Sequence, residues 1–142
     1  MGKHFDIGYF KKPVKVRAKV AKERTVINKM HAWKLGKEYY DGNRLNGYGG
    51  FKYDGRWLKL LPKIIKKYKL TKNSKVLDLG CKKGFLLKDL NILLPGIKSY
   101  GIENHSYALK KSVNCKSKLI KSEYYKIPFK NNYFDFVIAF NS

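Results

Sequence analysis

The sequence predicts an α/β fold in which a mostly parallel sheet alternates with helices over residues 71–142. Two observations support this prediction. Short apolar runs of strand length alternate with patches of helical spacing, which is typical of parallel strands joined by helices. Residues 134–140 are also almost continuously apolar, as expected of a strand that is buried on both faces.

The elements of this region follow from the spacing of apolar residues. Strands are predicted at residues 75–79, 99–102, 119–121 and 134–140, and helices at residues 85–91 and 106–112. Pro95 and Gly96 mark the turn into the second strand. Ligands of such sheets bind beyond the carboxyl ends of the strands, near the point where the strand order reverses.

Residues 1–70 are expected to form a helical region that acts as a lid over the ligand site. This region includes a loop rich in glycine and aromatic residues. Residues 1–13 are basic and aperiodic, which predicts a loose arm. One or two helices are predicted between residue 14 and about residue 35 from apolar residues near helical spacing, namely Val16, Val20, Ile27, Met30 and Trp33. Five glycines and six aromatic residues in residues 39–57 predict a loop with tight turns. A short helix is predicted next, with one face formed by Trp57, Leu61, Ile64, Ile65 and Tyr68.

The formal net charge of +22 raises the possibility of nucleic-acid binding, because lysine and arginine neutralise phosphates. Only four of the 32 basic residues are arginine, the residue that makes forked phosphate contacts, and the lysines are spread along the chain. Abundant lysine, asparagine, isoleucine and tyrosine are also typical of an A+T-rich genome. RNA binding therefore stays open as an alternative that the sequence does not favour.

Composition also bears on the cellular location of the protein and on membrane and metal binding. No apolar run approaches the roughly 18 residues of a membrane span, and the first residues lack the apolar core of a signal peptide. The two cysteines make no disulfide framework, and the three histidines form no metal-binding pattern with them. We expect a cytoplasmic protein with no membrane partner and no metal site.

Carboxylates are scarce beyond residue 70, where only five occur. Three of them, Asp78, Glu103 and Glu123, fall at or just after the end of a predicted strand. Because parallel strands end at the same edge of a sheet, these side chains are expected on the ligand-binding rim.

The turn after the first strand has the features of a nucleoside-binding loop. Gly80 and Gly84 bracket it, and residues without side chains let a ligand approach the backbone. Glu103 follows Gly84 by 19 residues and can accept hydrogen bonds from both hydroxyls of a ribose. The dinucleotide pattern G-x-G-x-x-G and the phosphate-binding pattern G-x-x-x-x-G-K-[ST] are both absent.

Four motifs resemble those of class I S-adenosylmethionine-dependent methyltransferases, in the same order. Residues 78–84, DLGCKKG, resemble the first motif, D-x-G-C-G-x-G, with Lys82 at its middle glycine. Residues 101–103, GIE, are similar to the second, and residues 122–129, SEYYKIPF, to the segment G-D-A-x-x-L-P-F. Residues 134–138, FDFVI, are similar to the fourth strand, F-D-x-V, and residues 39–57 to a segment that precedes the core in some bacterial members.

This resemblance implies a Rossmann-like fold with strands in the order 3-2-1-4 and S-adenosylmethionine as the cofactor. The cofactor-binding residues that it implies are Asp78, Gly80, Cys81, Gly84, Glu103, Asn104, Glu123 and Tyr124. Methyl transfer is an in-line displacement at a methyl group that its sulfonium already activates, so positioning and exclusion of water can supply most of the catalysis. No catalytic residue is therefore assigned, and the methyl acceptor is not identified.

The last predicted strand gives a further expectation. The chain ends at Ser142, at the tip of the strand that the family follows with further strands. We expect the 142 residues to be the N-terminal part of a longer protein or a truncated reading frame, with weak or no methyl transfer. An exposed edge strand also predicts self-association. The alternative hypothesis is a basic nucleic-acid-binding module, or an RNA methyltransferase, with a vestigial cofactor site.

Overall fold

The computed structural model describes residues 14–140, and the arm expected for residues 1–13 lies outside them. The helices are α1 (Val14–Glu23), α2 (Val26–Lys34), α3 (Lys37–Tyr40), α4 (Leu61–Tyr68), α5 (Phe85–Leu93) and α6 (Ser106–Lys110), with a 3-10 helix at Arg56–Lys59. The strands are β1 (Lys75–Leu79), β2 (Lys98–Glu103), β3 (Lys118–Lys121) and β4 (Phe136–Ile138).

The four strands form one parallel sheet in the order β3-β2-β1-β4. This topology confirms the predicted α/β, Rossmann-like fold class. In the register, Asp78 of β1 lies opposite Gly101 of β2, and Glu103 lies opposite Lys121 of β3. The two acids at the ends of β1 and β2 are thus brought to the same edge of the sheet.

Strand β4 is shorter than the predicted run of residues 134–140. Asp135 lies before it, where its backbone N–H donates to the Lys75 carbonyl and its carboxylate accepts the Lys75 N–H at 2.7 Å. Among the described residues β4 is an edge of the sheet, and Val137 is 51% exposed.

The core lies between the sheet and helices α4 and α5. It includes Leu61 and Ile64 from α4, Val76 from β1, and Leu87 and Leu90 from α5. The glycine at position 101 brings the loop after β1 directly onto β2. A Cβ atom at Gly101 would lie 2.6 Å from the Cys81 sulfur, so a larger residue would displace that loop.

Helix α2 confirms the predicted helical spacing but not a buried apolar face. Its large apolar residues lie in solvent, and Trp33 is 85% exposed. Its contacts with the rest of the chain include polar ones, since Asn28 Nδ2 donates to Asn46 Oδ1 at 2.8 Å. Periodicity predicts that an apolar face exists, whereas the partner that covers it depends on the tertiary structure.

The loop of residues 39–57, which we call the glycine-rich loop, is attached to the sheet region by an ion pair. Lys83 Nζ lies 2.7 and 2.8 Å from the two Asp41 oxygens and donates to the Phe51 carbonyl at 2.9 Å. Tyr107 from α6 donates its hydroxyl to the same carboxylate. Burial tends to raise the pKa of Asp41, but the hydrogen bonds from Lys83 and Tyr107 bring this pKa below its ordinary value.

A second attachment lies on α5, six residues after Lys83. The Asp89 side chain is fully buried and accepts hydrogen bonds from the Tyr53 hydroxyl and, at 3.0 Å, from the Trp57 N–H. A buried carboxylate is tolerated only when donors replace its lost water. The two donors come from the loop and the 3-10 helix, so Asp89 fixes both against α5.

We predict that Asp89→Asn lowers the free energy of unfolding by about 1–3 kcal/mol, because an amide presents only one acceptor oxygen and leaves one buried group unpaired. Urea denaturation followed by circular dichroism would measure the change. The matched control is Asp54→Asn, which removes an exposed ion pair with Arg56 and should cost less than about 1 kcal/mol. Equal effects of the two substitutions would contradict a special role for the buried carboxylate.

Candidate functional site

The acids and glycines predicted from the sequence gather where β1, β2 and β3 end. Residues 80–84 form the loop between β1 and α5, which we call the cofactor loop. Glu103 is the last residue of β2, and Glu123 and Tyr124 follow β3. Parallel pairing of the three strands therefore places residues from three distant stretches of sequence at one rim.

The cofactor loop turns sharply and is held by β2. Gly80 and Gly84 have φ angles of +80° and +76°, which is the left-handed region that glycine enters without a steric cost. The backbone N–H groups of Gly80 and Cys81 both donate to the Ile102 carbonyl, at 2.9 and 3.0 Å. The loop is thus fixed to the strand that ends in Glu103.

Lys82 also adopts the left-handed conformation, with a φ of +53°. For a residue with a side chain this costs about 1–2 kcal/mol. Its side chain is half-buried, and Nζ lies 5.8 Å from the centre of the Tyr48 ring. The position that is glycine in the resembled motif therefore keeps a glycine-like backbone while it carries a lysine.

Glu103 is fully buried, and five donors surround its carboxylate. Oε2 accepts the Lys82 N–H at 2.9 Å. Oε1 contacts four groups: the N–H of Asn104 at 2.9 Å, the N–H of His105 at 3.1 Å, the Nδ1 of His105 at 2.9 Å and the hydroxyl of Tyr124 at 2.9 Å. These hydrogen bonds replace those that the carboxylate would make to water, so its burial is tolerated.

Asp78 is buried in β1 close to Glu103. Burial raises the pKa of Asp78 to about 7, and the Glu103 charge adds to this rise while Lys82 opposes it. The carboxyl group is therefore protonated in part at neutral pH. Positive charge brought next to it would favour its ionised form.

Asn104 has an unsatisfied acceptor in the described part of the chain. Its Oδ1 is buried and has no hydrogen-bond partner there, while its Nδ2 lies 3.4 Å from Glu123 Oε2. Unpaired buried acceptors are uncommon, because each costs about 1–3 kcal/mol. The amide is thus suited to receive a donor from a ligand.

Cys81 and Tyr124 differ in their roles at this rim. Cys81 is buried, and burial raises the pKa of its thiol well above neutral, so the group is an unreactive filler beside Gly101. Burial and the Glu103 charge raise the pKa of Tyr124, so its phenol keeps the proton that it donates to Glu103.

Sequence reasoning missed three contributors to the site. His105 contacts Glu103, and its position two residues after that acid was the available signal. Lys83 and Asp41 join the glycine-rich loop to the cofactor loop, and no local pattern distinguishes Lys83 from the exposed lysines. Arg56 of the 3-10 helix binds Asp54 with Nε and an amino group.

Residues 14–140 contain neither a metal-binding cluster nor a membrane-spanning helix. No group of three or more His, Cys, Asp or Glu side chains in this range could hold a metal ion. None of the helices in the same range is long and apolar enough to cross a membrane.

Comparisons with known proteins agree with this architecture. Residues 77–142 match the family model described as a methyltransferase domain. The plantazolicin methyltransferase BpumL, solved with S-adenosylhomocysteine, is 18% identical over 88% of this chain and 50% of that chain, with a TM-score of 0.52. A chain of the complex of the Haloferax volcanii Trm112 methyltransferase activator with a methyltransferase is 15% identical over 81% of this chain and 46% of that chain, with a TM-score of 0.53.

An S-adenosylmethionine-dependent methyltransferase from Aquifex aeolicus is 26% identical over 62% of this chain and 57% of that chain, with a TM-score of 0.48. The chain spans about half the length of the solved structures that it matches. None of the curated proteins matches it significantly. The family match over residues 77–142, the parallel sheet order and the shared fold together confirm the resemblance to class I, Rossmann-like S-adenosylmethionine-dependent methyltransferases.

Proposed function

We propose that this chain binds S-adenosylmethionine and serves in the transfer of its methyl group to an acceptor. The observation that supports this most is the buried Glu103 carboxylate at the end of β2, beside the glycine turn of the cofactor loop. A carboxylate at this position can accept both hydroxyls of a ribose. Because the chain spans about half of its structural relatives, the transfer reaction, the acceptor and any partner are all part of the proposal.

The residues present fit such a cofactor in three respects. Glu103 offers a charged acceptor for ribose hydroxyls, and the unpaired Oδ1 of Asn104 offers an acceptor for a donor such as an amino group. Asp78 offers a buried carboxyl group whose ionised form a cationic ligand would favour. We assign cofactor contact to Asp78, Gly80, Cys81, Gly84, Glu103, Asn104, Glu123 and Tyr124.

In this proposal the protein contributes mainly position and environment. S-adenosylmethionine, when bound, supplies a methyl group made electrophilic by its sulfonium. Residues 71–142 hold the cofactor, while residues 1–70 cover it and form part of the acceptor site. No side chain of the described residues is assigned as a base, since alignment of donor and acceptor and exclusion of water are sufficient for such a displacement.

Calorimetry on the purified chain tests the cofactor assignment. S-adenosylmethionine and S-adenosylhomocysteine are expected to bind, whereas NAD and ATP are not. A screen of small molecules, RNA and proteins with labelled S-adenosylmethionine would then identify the acceptor. A preference for NAD would contradict the proposal, and salt-sensitive RNA binding without S-adenosylhomocysteine binding would favour the nucleic-acid-binding alternative.

We predict that Glu103→Gln weakens S-adenosylhomocysteine binding at least tenfold, because a hydrogen bond to a charged group contributes roughly 1.5–3 kcal/mol. Circular dichroism should show that the variant is folded, and Glu103→Ala gives a second test of the same contact. Glu23→Gln is the matched control, since Glu23 lies on α1 in an exposed pair with Lys19. An unchanged dissociation constant in folded Glu103→Gln would remove the ribose assignment.

We predict a pH dependence that comes from Asp78. Because its pKa is about 7 in the folded chain and 3.8 ordinarily, folding takes up a proton between these values. Stability therefore falls as pH rises through this window and levels off above about 7. Asp78→Asn should remove this slope and stabilise the chain at pH 8 by on the order of 2–4 kcal/mol, with little difference near pH 4.

The same linkage applies to binding of the cationic cofactor. S-adenosylmethionine binding at pH 6 should release a proton, and affinity should rise with pH until about pH 7. Calorimetry in buffers of different ionisation enthalpy measures the release, which Asp78→Asn should abolish. A pH-independent affinity in the wild type would show that Asp78 does not face the cofactor charge.

A further inference from the structure

Oε1 of the Glu103 carboxylate has no acceptor position left for a ribose hydroxyl. Each carboxylate oxygen offers about two lone-pair sites, and four groups of the chain already contact Oε1, whereas Oε2 accepts the Lys82 N–H. The side chain is also fully buried. Any nucleoside whose ribose binds both oxygens of Glu103 must therefore displace a group that contacts Oε1.

The donors differ in how easily they can leave. Three are backbone N–H groups of Lys82, Asn104 and His105, and the loops that carry them are fixed at the ends of β1 and β2. A fourth is the ring of His105, next to its own bonded N–H. Tyr124 reaches Glu103 from a separate segment, the irregular stretch between β3 and β4, and its side chain is only half-buried.

A short turn aims Tyr124 at the acid. The Ser122 hydroxyl donates to the Lys126 carbonyl at 2.6 Å, and the Lys126 N–H donates to the Glu123 carbonyl at 3.0 Å. The neighbouring Tyr125 has the same side chain but is 87% exposed. The turn therefore selects one of two adjacent tyrosines for the contact with Glu103.

The Tyr124 hydroxyl is the donor most like the proposed ligand. A phenol O–H and a ribose O–H both present one donor to a carboxylate oxygen, at similar distances. We propose that Tyr124 is a hydroxyl latch, which occupies Oε1 of Glu103 and must be displaced before the two hydroxyls of a ribose bind the carboxylate. This inference rests on the proposed cofactor function and identifies the residue that limits access to that site.

With a latch of this kind, the apparent affinity is the intrinsic affinity multiplied by the fraction of molecules in which the latch is open. Tyr124→Phe removes the hydroxyl and keeps the aromatic ring, so any packing of the ring on a ligand is preserved. We expect S-adenosylhomocysteine to bind this variant about 3- to 10-fold more tightly than the wild type. The gain should come mainly from a faster association rate, because latch opening precedes binding.

Calorimetry and stopped-flow binding with S-adenosylhomocysteine test the latch on wild type, Tyr124→Phe and the matched control Tyr125→Phe. Tighter and faster binding in Tyr124→Phe alone supports it. Equal affinity in all three proteins overturns it and leaves the cofactor function standing, and weaker binding in Tyr124→Phe overturns it by showing that the hydroxyl assists binding. Absence of binding in all three folded proteins overturns both the latch and the proposed function.

Discussion

The burial of the Glu103 carboxylate organises the carboxyl edge of this sheet. Glu103 is fully buried, and a charge in that position is stable only if donors replace the lost solvent. The donors come from the cofactor loop, from the loop after β2 and from the turn after β3. A single side chain thus joins three loops that are distant in the sequence, and the shape of the candidate site follows from its need for hydrogen bonds.

The N-terminal half of the described chain depends on the same principle at two other carboxylates. Asp41 binds Lys83 of the cofactor loop, and Asp89 of α5 binds the loop through Tyr53 and Trp57. Aromatic rings of residues 39–57 then pack beside the cofactor loop, as in the stacking of Phe51 on Phe85, the residue that follows this loop, at 4.6 Å between ring centres. The glycine-rich loop is therefore held against the cofactor loop by specific polar contacts as well as by apolar packing.

The high positive charge of the chain affects these contacts little. Nearly all described lysines are solvated, and Lys83 is buried because it has a carboxylate and a carbonyl as partners. Most of the few acids of the sheet region lie instead in the interior or at the strand ends. In so basic a chain the position of a carboxylate indicates more about the site than the position of a lysine.

Local sequence determined the sheet region closely. Strand β1 has its predicted bounds, and the helix starting at Phe85 and the strands β2 and β3 differ from prediction by only one or two residues at their ends. These elements are specified by short-range features, namely apolar runs bounded by glycine, proline and charged residues. The rim positions of Asp78 and Glu103 follow for the same reason, since an acid that ends a buried strand must lie at the carboxyl edge.

Only the tertiary structure decided how these residues are used. The contact of Tyr124 with Glu103 joins residues 21 positions apart, and that of Tyr53 with Asp89 joins residues 36 apart. Likewise, the burial of Lys83 beside the half-buried Lys82, and the exposure of the apolar residues of α2, depend on which surfaces meet. Spacing along the chain determines the face of an element on which a residue lies, but the partner of that face is set by the packing of distant segments, which no local pattern contains.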